Sequence, residues 1–123
     1  MSKEPILETE RLILRPITLD DAAACFSWNS DERVAKYMSY PTFTDISQTI
    51  DWIKSTLTDE KEYNFAFVLK KENKVIGTGS IGPSSKTEGY WGMGYNLHFD
   101  YWHKGYCTEA MKAIVDYVHK ELG

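Results

Sequence analysis

Apolar residues recur along this chain in two rhythms. Over Leu12-Ile13-Leu14-Arg15-Pro16 they run together, which predicts a short strand ended where Pro16 removes a ladder donor. From Thr18 the spacing lengthens. Thr18-Leu19-Asp20-Asp21 has the form of a capping box with Asp21 where Glu or Gln is usual, and Leu19, Ala22, Ala23 and Phe26 follow at helical intervals. Ser30-Asp31-Glu32 opens a second short helix carrying Val34, Tyr37 and Met38, which Pro41 breaks. Asp45, with Gln48 three residues on, caps a third, whose Ile46, Ile50, Ile53 and Leu57 form one face.

The second half changes period. Asn64 to Leu69 is apolar on both faces, as in a central strand covered on each side. Lys71-Glu72-Asn73-Lys74 is a polar turn, and Val75 to Ile81 is a glycine-laden strand. Pro83 to Gly89 reads as a loop, Tyr90 to Phe99 as a fourth strand, and Gly105 to Leu122 as the longest helix. A strand, helices, three hairpin-linked strands and a final helix make an α+β pattern: a mainly antiparallel sheet flanked by helices. No repeat, low-complexity segment or linker interrupts it, so residues 1–123 read as a single domain.

Composition narrows the partners. A net charge of −4 disfavours a general nucleic-acid binder, which needs a basic face. It leaves room for a small anion held on backbone amides. No leader is visible at Met1-Ser2-Lys3-Glu4-Pro5, and no apolar run approaches the roughly 20 residues of a membrane span. The two cysteines, Cys25 and Cys107, form no disulfide framework; a reducing cytoplasm is the expectation. His98, His103 and His119 lack metal-ligand spacing, so no metal is expected.

The candidate chemistry lies in Tyr101-Trp102-His103-Lys104-Gly105-Tyr106-Cys107-Thr108-Glu109-Ala110. A strand ends before it and a helix begins within it. The first turn of that helix has amides without intrahelical partners and a partial positive charge. Gly105 lets a ligand come close, and Lys104 adds a cation. This is neither a P-loop nor a dinucleotide GxGxxG. Taken alone, it is a weak anion site.

The same segment resembles motif A of the GNAT acetyltransferases, Gln/Arg-x-x-Gly-x-Gly/Ala, with Trp102 to Cys107 in its positions. It is most similar to the RimJ/RimL-like branch (ribosomal-protein-alanine acetyltransferase-like), where Tyr-Trp-x-Lys-Gly-Tyr-x-Thr-Glu-Ala is typical. Glu8 to Pro16 resembles that branch's opening strand, and Ile76-Gly77 and Gly94-Tyr95-Asn96-Leu97 resemble its central strands. Trp102 departs from the wider family's Gln or Arg, and Cys107 occupies a small-residue position.

The resemblance implies an acyl-CoA N-acyltransferase fold and acetyl-CoA as co-substrate. It places the pantetheine arm along Asn96, Leu97 and His98, and the diphosphate on the amides of His103, Lys104, Gly105, Tyr106, Cys107 and Thr108. It implies direct attack by a primary amine, from a protein N-terminus or a small polyamine-like acceptor, with a backbone amide polarising the carbonyl. Many relatives carry an acid on the fourth strand; here Gly92 stands there, with Glu88 and His98 the nearest titratable groups. The catalytic acid and base are not identified. A Cys107 nucleophile would need a base that nothing fixes. Gly123 falls where the family's fifth strand begins, so the expectation is a fold incomplete at its C-terminal side: a fragment of a longer protein, a naturally shortened member, or a chain whose open edge a second copy covers in a dimer, self-association being the prediction. The alternative is a CoA-binding or interaction module without turnover.

Overall fold

The computed structural model describes residues 4–38, 41–59, 62–83 and 91–121. Their sheet has five strands in sequence order: β1 (Leu7–Glu8), β2 (Leu12–Pro16), β3 (Tyr63–Leu69), β4 (Lys74–Pro83) and β5 (Trp91–Leu97). Every pairing is antiparallel. The helices are α1 (Ala22–Asn29), α2 (Glu32–Ala35), α3 (Ile46–Thr58) and α4 (Tyr106–Glu121). The α+β expectation of an antiparallel sheet flanked by helices is met.

Side-chain alternation divides the interior into two layers. Leu12, Leu14, Phe65 and Phe67 point to one face and pack on Tyr106, Ala110, Ile114 and Val118 of α4. Those four helix residues recur every fourth position, one stripe of a 3.6-residue period. Complete burial of a side chain such as Ile114 contributes about 1.5–3 kcal/mol. On the other face Cys25, Trp28, Val34 and Ile53 form the second layer, from α1 to α3.

Three differences from the sequence reading have local causes. β1 is a two-residue strand with little apolar pattern of its own, and it exists because Leu7 pairs with Leu14. β5 stops at Leu97, because the His98 side chain accepts the Asp100 amide and caps a one-turn 3-10 segment over Phe99–Tyr101. The capping box at Thr18 is real, but Asp21 does more than cap. Its carboxylate is buried, accepts the Thr18 amide at 2.9 Å and takes the Arg15 guanidinium in two bonds of 2.7 and 3.0 Å. The loop expected over residues 83–89 lies outside the described residues beyond Pro83.

Gly79 shows why β4 is rich in glycine. A Cβ there would stand 2.5 Å from Phe67 Cζ and 2.9 Å from Met111 Sδ. The Phe67 ring therefore lies across β4, with α4 pressed against it.

Candidate functional site

The turn between β5 and α4 bends through two left-handed residues, His103 at φ 63° and Gly105 at φ 80°. Only glycine takes that conformation without cost. The Gly105 carbonyl accepts the Glu109 amide at 3.0 Å, the first turn of α4. By helix geometry the amides of Tyr106, Cys107 and Thr108 then have no intrahelical acceptor. They carry the positive end of a 16-residue helix. Chain bends of this kind gather successive amides into an anion-sized concavity.

A strut that the sequence did not reveal fixes the turn. Glu109 accepts the backbone amide of Arg11 at 2.9 Å and its Nε at 2.7 Å, and also the Thr9 hydroxyl. The same guanidinium donates from Nη1 to the Lys104 carbonyl at 2.9 Å and lies 4.4 Å above the Tyr106 ring. Burial works against the Glu109 charge, but the bonds from Thr9 and Arg11 outweigh it and hold the carboxyl below its usual range. Thr9, Arg11 and Glu109 belong to two of the segments that carry the family resemblance. Their partnership had no signal in spacing, because they lie about a hundred residues apart.

Facing the turn is a cleft of ≈ 490 Å³ with Tyr37, Tyr95, Leu97, Trp102, His103 and Cys107 among its walls. It is mostly apolar. Trp102 braces it: the indole donates to the Leu97 carbonyl at 2.8 Å, and its ring lies 4.8 Å from Phe99 and 5.8 Å from Tyr37. Among the described residues β5 has a strand neighbour on one side only, β4. The His98 amide points to that side, donating to Ile76 at 2.8 Å. Antiparallel alternation then turns the Asn96 backbone the same way and the Tyr95 and Leu97 amides outward.

The nine predicted cofactor residues thus separate by role. His103 to Thr108 form one turn. Leu97, His103 and Cys107 line the cleft, whereas Asn96 lines a cavity on the opposite face of the sheet. The Tyr106 ring is buried in the core, which leaves its amide for a ligand. Tyr95, from the Gly94 to Leu97 segment that carries the resemblance, is half exposed, has its backbone turned outward and lines the cleft as well.

A family model described as an acetyltransferase (GNAT) domain matches residues 11–123. The chain belongs to the GNAT family. It is 38% identical over 114 residues to the uncharacterized N-acetyltransferase p20 of Bacillus licheniformis, covering 90% of this chain and 64% of p20. The chain therefore spans a little under two thirds of that relative's length. A solved GNAT-family acetyltransferase from Bacillus anthracis superposes with a TM-score of 0.81 at 28% identity, over 96% of this chain and 68% of that one. The spermidine N-acetyltransferase of Vibrio cholerae, solved with CoA and spermine, shares the fold at a TM-score of 0.76 and 14% identity, over 93% of this chain and 67% of that one.

Within this GNAT domain the titratable candidates sort themselves by contact. His98 is occupied: its Nδ1 accepts the Asp100 amide at 3.2 Å, and its ring meets Tyr101 edge-on. Glu88 lies outside the described residues. Burial pushes the Cys107 thiol up to about 12, which leaves almost no thiolate near neutrality, despite its place at a helix N-terminus. Among the described residues no helix is long and apolar enough to cross a membrane, and no group of three or more His, Cys, Asp or Glu is placed to hold a metal.

Proposed function

We propose that this GNAT chain serves N-acetyl transfer from acetyl-CoA to a primary amine, in the manner of the RimJ/RimL-like branch. The observation that carries this reading is the opposition of two features across one apolar cleft. On one side are the amides of the Gly105 turn, which have no intrahelical acceptor; on the other are the outward amides of Tyr95 and Leu97. The turn suits a diphosphate, because Gly105 puts no side chain in the way and Lys104 is exposed beside it. The outward edge of β5 suits an extended amide-bearing arm such as pantetheine.

The co-substrate supplies an acetyl group activated as a thioester. The chain's residues hold and orient. His103 to Thr108 anchor the charged end, the Arg11–Glu109 strut fixes their position, and Trp102 with Tyr37 and Leu97 excludes water. A neutral amine nitrogen forms the new C–N bond as the C–S bond breaks. The amine proton leaves to water or to a base, and the departing sulfur takes a proton. In this reading an outward amide of β5 donates to the thioester oxygen as charge builds there.

Calorimetric titration with acetyl-CoA tests the turn, and free-thiol release with an amine panel tests transfer. Gly105→Glu places a side chain and a negative charge at the diphosphate position and should abolish binding. Unchanged affinity in that variant would move the site elsewhere.

A further inference from the structure

Trp102 stands where the two core layers meet, packed against the α4 layer and against the layer built from α1 to α3. The bond from its indole to the Leu97 carbonyl ties one edge of the ring. A ring bonded at one edge can still pivot about it. What packs on its faces then decides where this wall of the cleft stands.

Part of that packing comes from α2, a helix of four residues. Val34 is fully buried and roots it in the second layer. From this root two side chains reach toward the turn between β5 and α4. Tyr37 meets the Trp102 ring edge-on. Arg33 lays its guanidinium carbon 3.9 Å from the centre of the Phe99 ring, and Phe99 lies 4.8 Å from Trp102. The Trp102 amide also donates to the Phe99 carbonyl at 3.1 Å. Phe99 is thus joined to Trp102 through ring and backbone, and stands between it and a cation.

That cation is itself held. Asp31 accepts the Arg33 amide at 2.9 Å as the cap of α2. The same carboxylate takes Nε at 3.0 Å and Nη2 at 2.7 Å. The Arg33 side-chain bonds hold the Asp31 carboxyl below its usual range, so the pair stays charged through neutral and mildly acid pH. A planar guanidinium fixed along one edge is left to stack with its face. Fold stability gives little reason for the arrangement, because Arg33 is 57% exposed and exposed ion pairs contribute little. Asp31 already matches its charge, which makes it a poor phosphate ligand. Its remaining contact is with Phe99, in a line that ends at the cleft wall.

We infer that Arg33 is a positioning residue for the co-substrate cleft: through Phe99 it holds the Trp102 indole in the orientation that acetyl-CoA meets. Arg33 does not line the cleft itself, so its effect passes through the two rings. Its role in binding rests on the acetyl-transfer reading; the line of contacts from α2 to the indole does not.

The indole N–H of Trp102 gives one peak in a proton–nitrogen correlation spectrum, assigned by its loss in Trp102→Phe. That peak reads the ring's position with no ligand present. Arg33→Gln and Phe99→Leu should each shift it and weaken acetyl-CoA binding about two- to fivefold, the range of one exposed cation–π contact. The double variant should lose no more than Phe99→Leu alone. Arg33→Lys should not restore wild-type affinity, because an ammonium lacks the planar face. Asp45→Ala removes the cap of α3, away from the cleft lining, and is the destabilised control; both readings should stay at wild type. An unmoved peak or unchanged affinity in Arg33→Gln, additive losses in the double variant, full rescue by lysine, or the same changes in Asp45→Ala would overturn the inference. Wild-type protein that fails to bind acetyl-CoA, with the peak still moved by Arg33→Gln, removes the co-substrate and keeps the positioning. Binding with an unmoved peak removes the positioning alone.

Discussion

The Glu109 carboxylate holds the backbone amide and the guanidinium of Arg11, 98 positions away in the chain, and through that guanidinium it reaches the Lys104 carbonyl. One acid on α4 thus fixes the start of β2 and the Gly105 turn relative to each other.

Glu109→Gln keeps the shape and removes the charge, and it turns an N–H toward groups that already donate. Charge-assisted bonds contribute about 1.5–3 kcal/mol each, and the partial exposure of Arg11 reduces that, so a loss of about 1–2 kcal/mol in stability is expected. Acetyl-CoA affinity should fall along with it. Thermal melts and calorimetry on the same preparation check both.

The strut also has a pH signature. The native carboxyl is held below its ordinary value of 4.5, so its contribution is complete above that pH and is lost as pH falls through the lowered native value. The stability advantage of wild type over Glu109→Gln should be constant from neutrality down to about pH 5 and shrink below. Denaturant midpoints across that range measure it; an advantage that grows on acidification would contradict the assignment.

Gly105→Ala isolates backbone conformation from charge. Its Cβ would stand 3.4 Å from Arg11 Nη2, which that flexible side chain can accommodate, but φ +80° would be strained. A destabilisation of about 1–2 kcal/mol is expected from the left-handed angle alone, read by chemical denaturation.

Gly79→Ala should be worse. Its Cβ would collide with the Phe67 ring and with Met111, so α4 must lift from the sheet. Overpacking of this kind costs about 1–3 kcal/mol, and pairing the change with Phe67→Leu should recover part of it.

Cys107 should behave as an inert wall of the cleft. With the thiol pushed up to about 12, alkylation by iodoacetamide at pH 8 should be far slower than for a free cysteine, and Cys107→Ala should keep acetyl-CoA binding.

Much of the fold was legible because its elements announce themselves locally. The Asp45 and Gln48 cap, the four-residue stripe of α4 and the contiguous apolar run of β3 all lie within a few residues of the positions that decide them. The turn at Gly105 was legible for the same reason. What escaped was pairing across distance. Asn64 reads as one polar residue opening an apolar strand; only the register with Ser80 and Gly94 shows which residues share its face of the sheet. Thr9, Arg11 and Glu109 lie in two segments that the resemblance picks out, but their contact with one another appears only in the fold. Even the separation of Asn96 from Leu97 onto opposite faces follows from strand parity once the strand is known.

Trp102 gives the cleft an optical reporter of its own. Its indole is tied to the Leu97 carbonyl at the junction of β5 and the turn, and its ring forms part of the cleft wall. Trp28, by contrast, is sealed in the other layer at 1% exposure. Filling the cleft must change the polarity around the Trp102 indole and leave that of Trp28 unchanged. The part of the intrinsic emission change that Trp102→Phe removes is then a gauge of ligand occupancy, separate from Trp52 and Trp91.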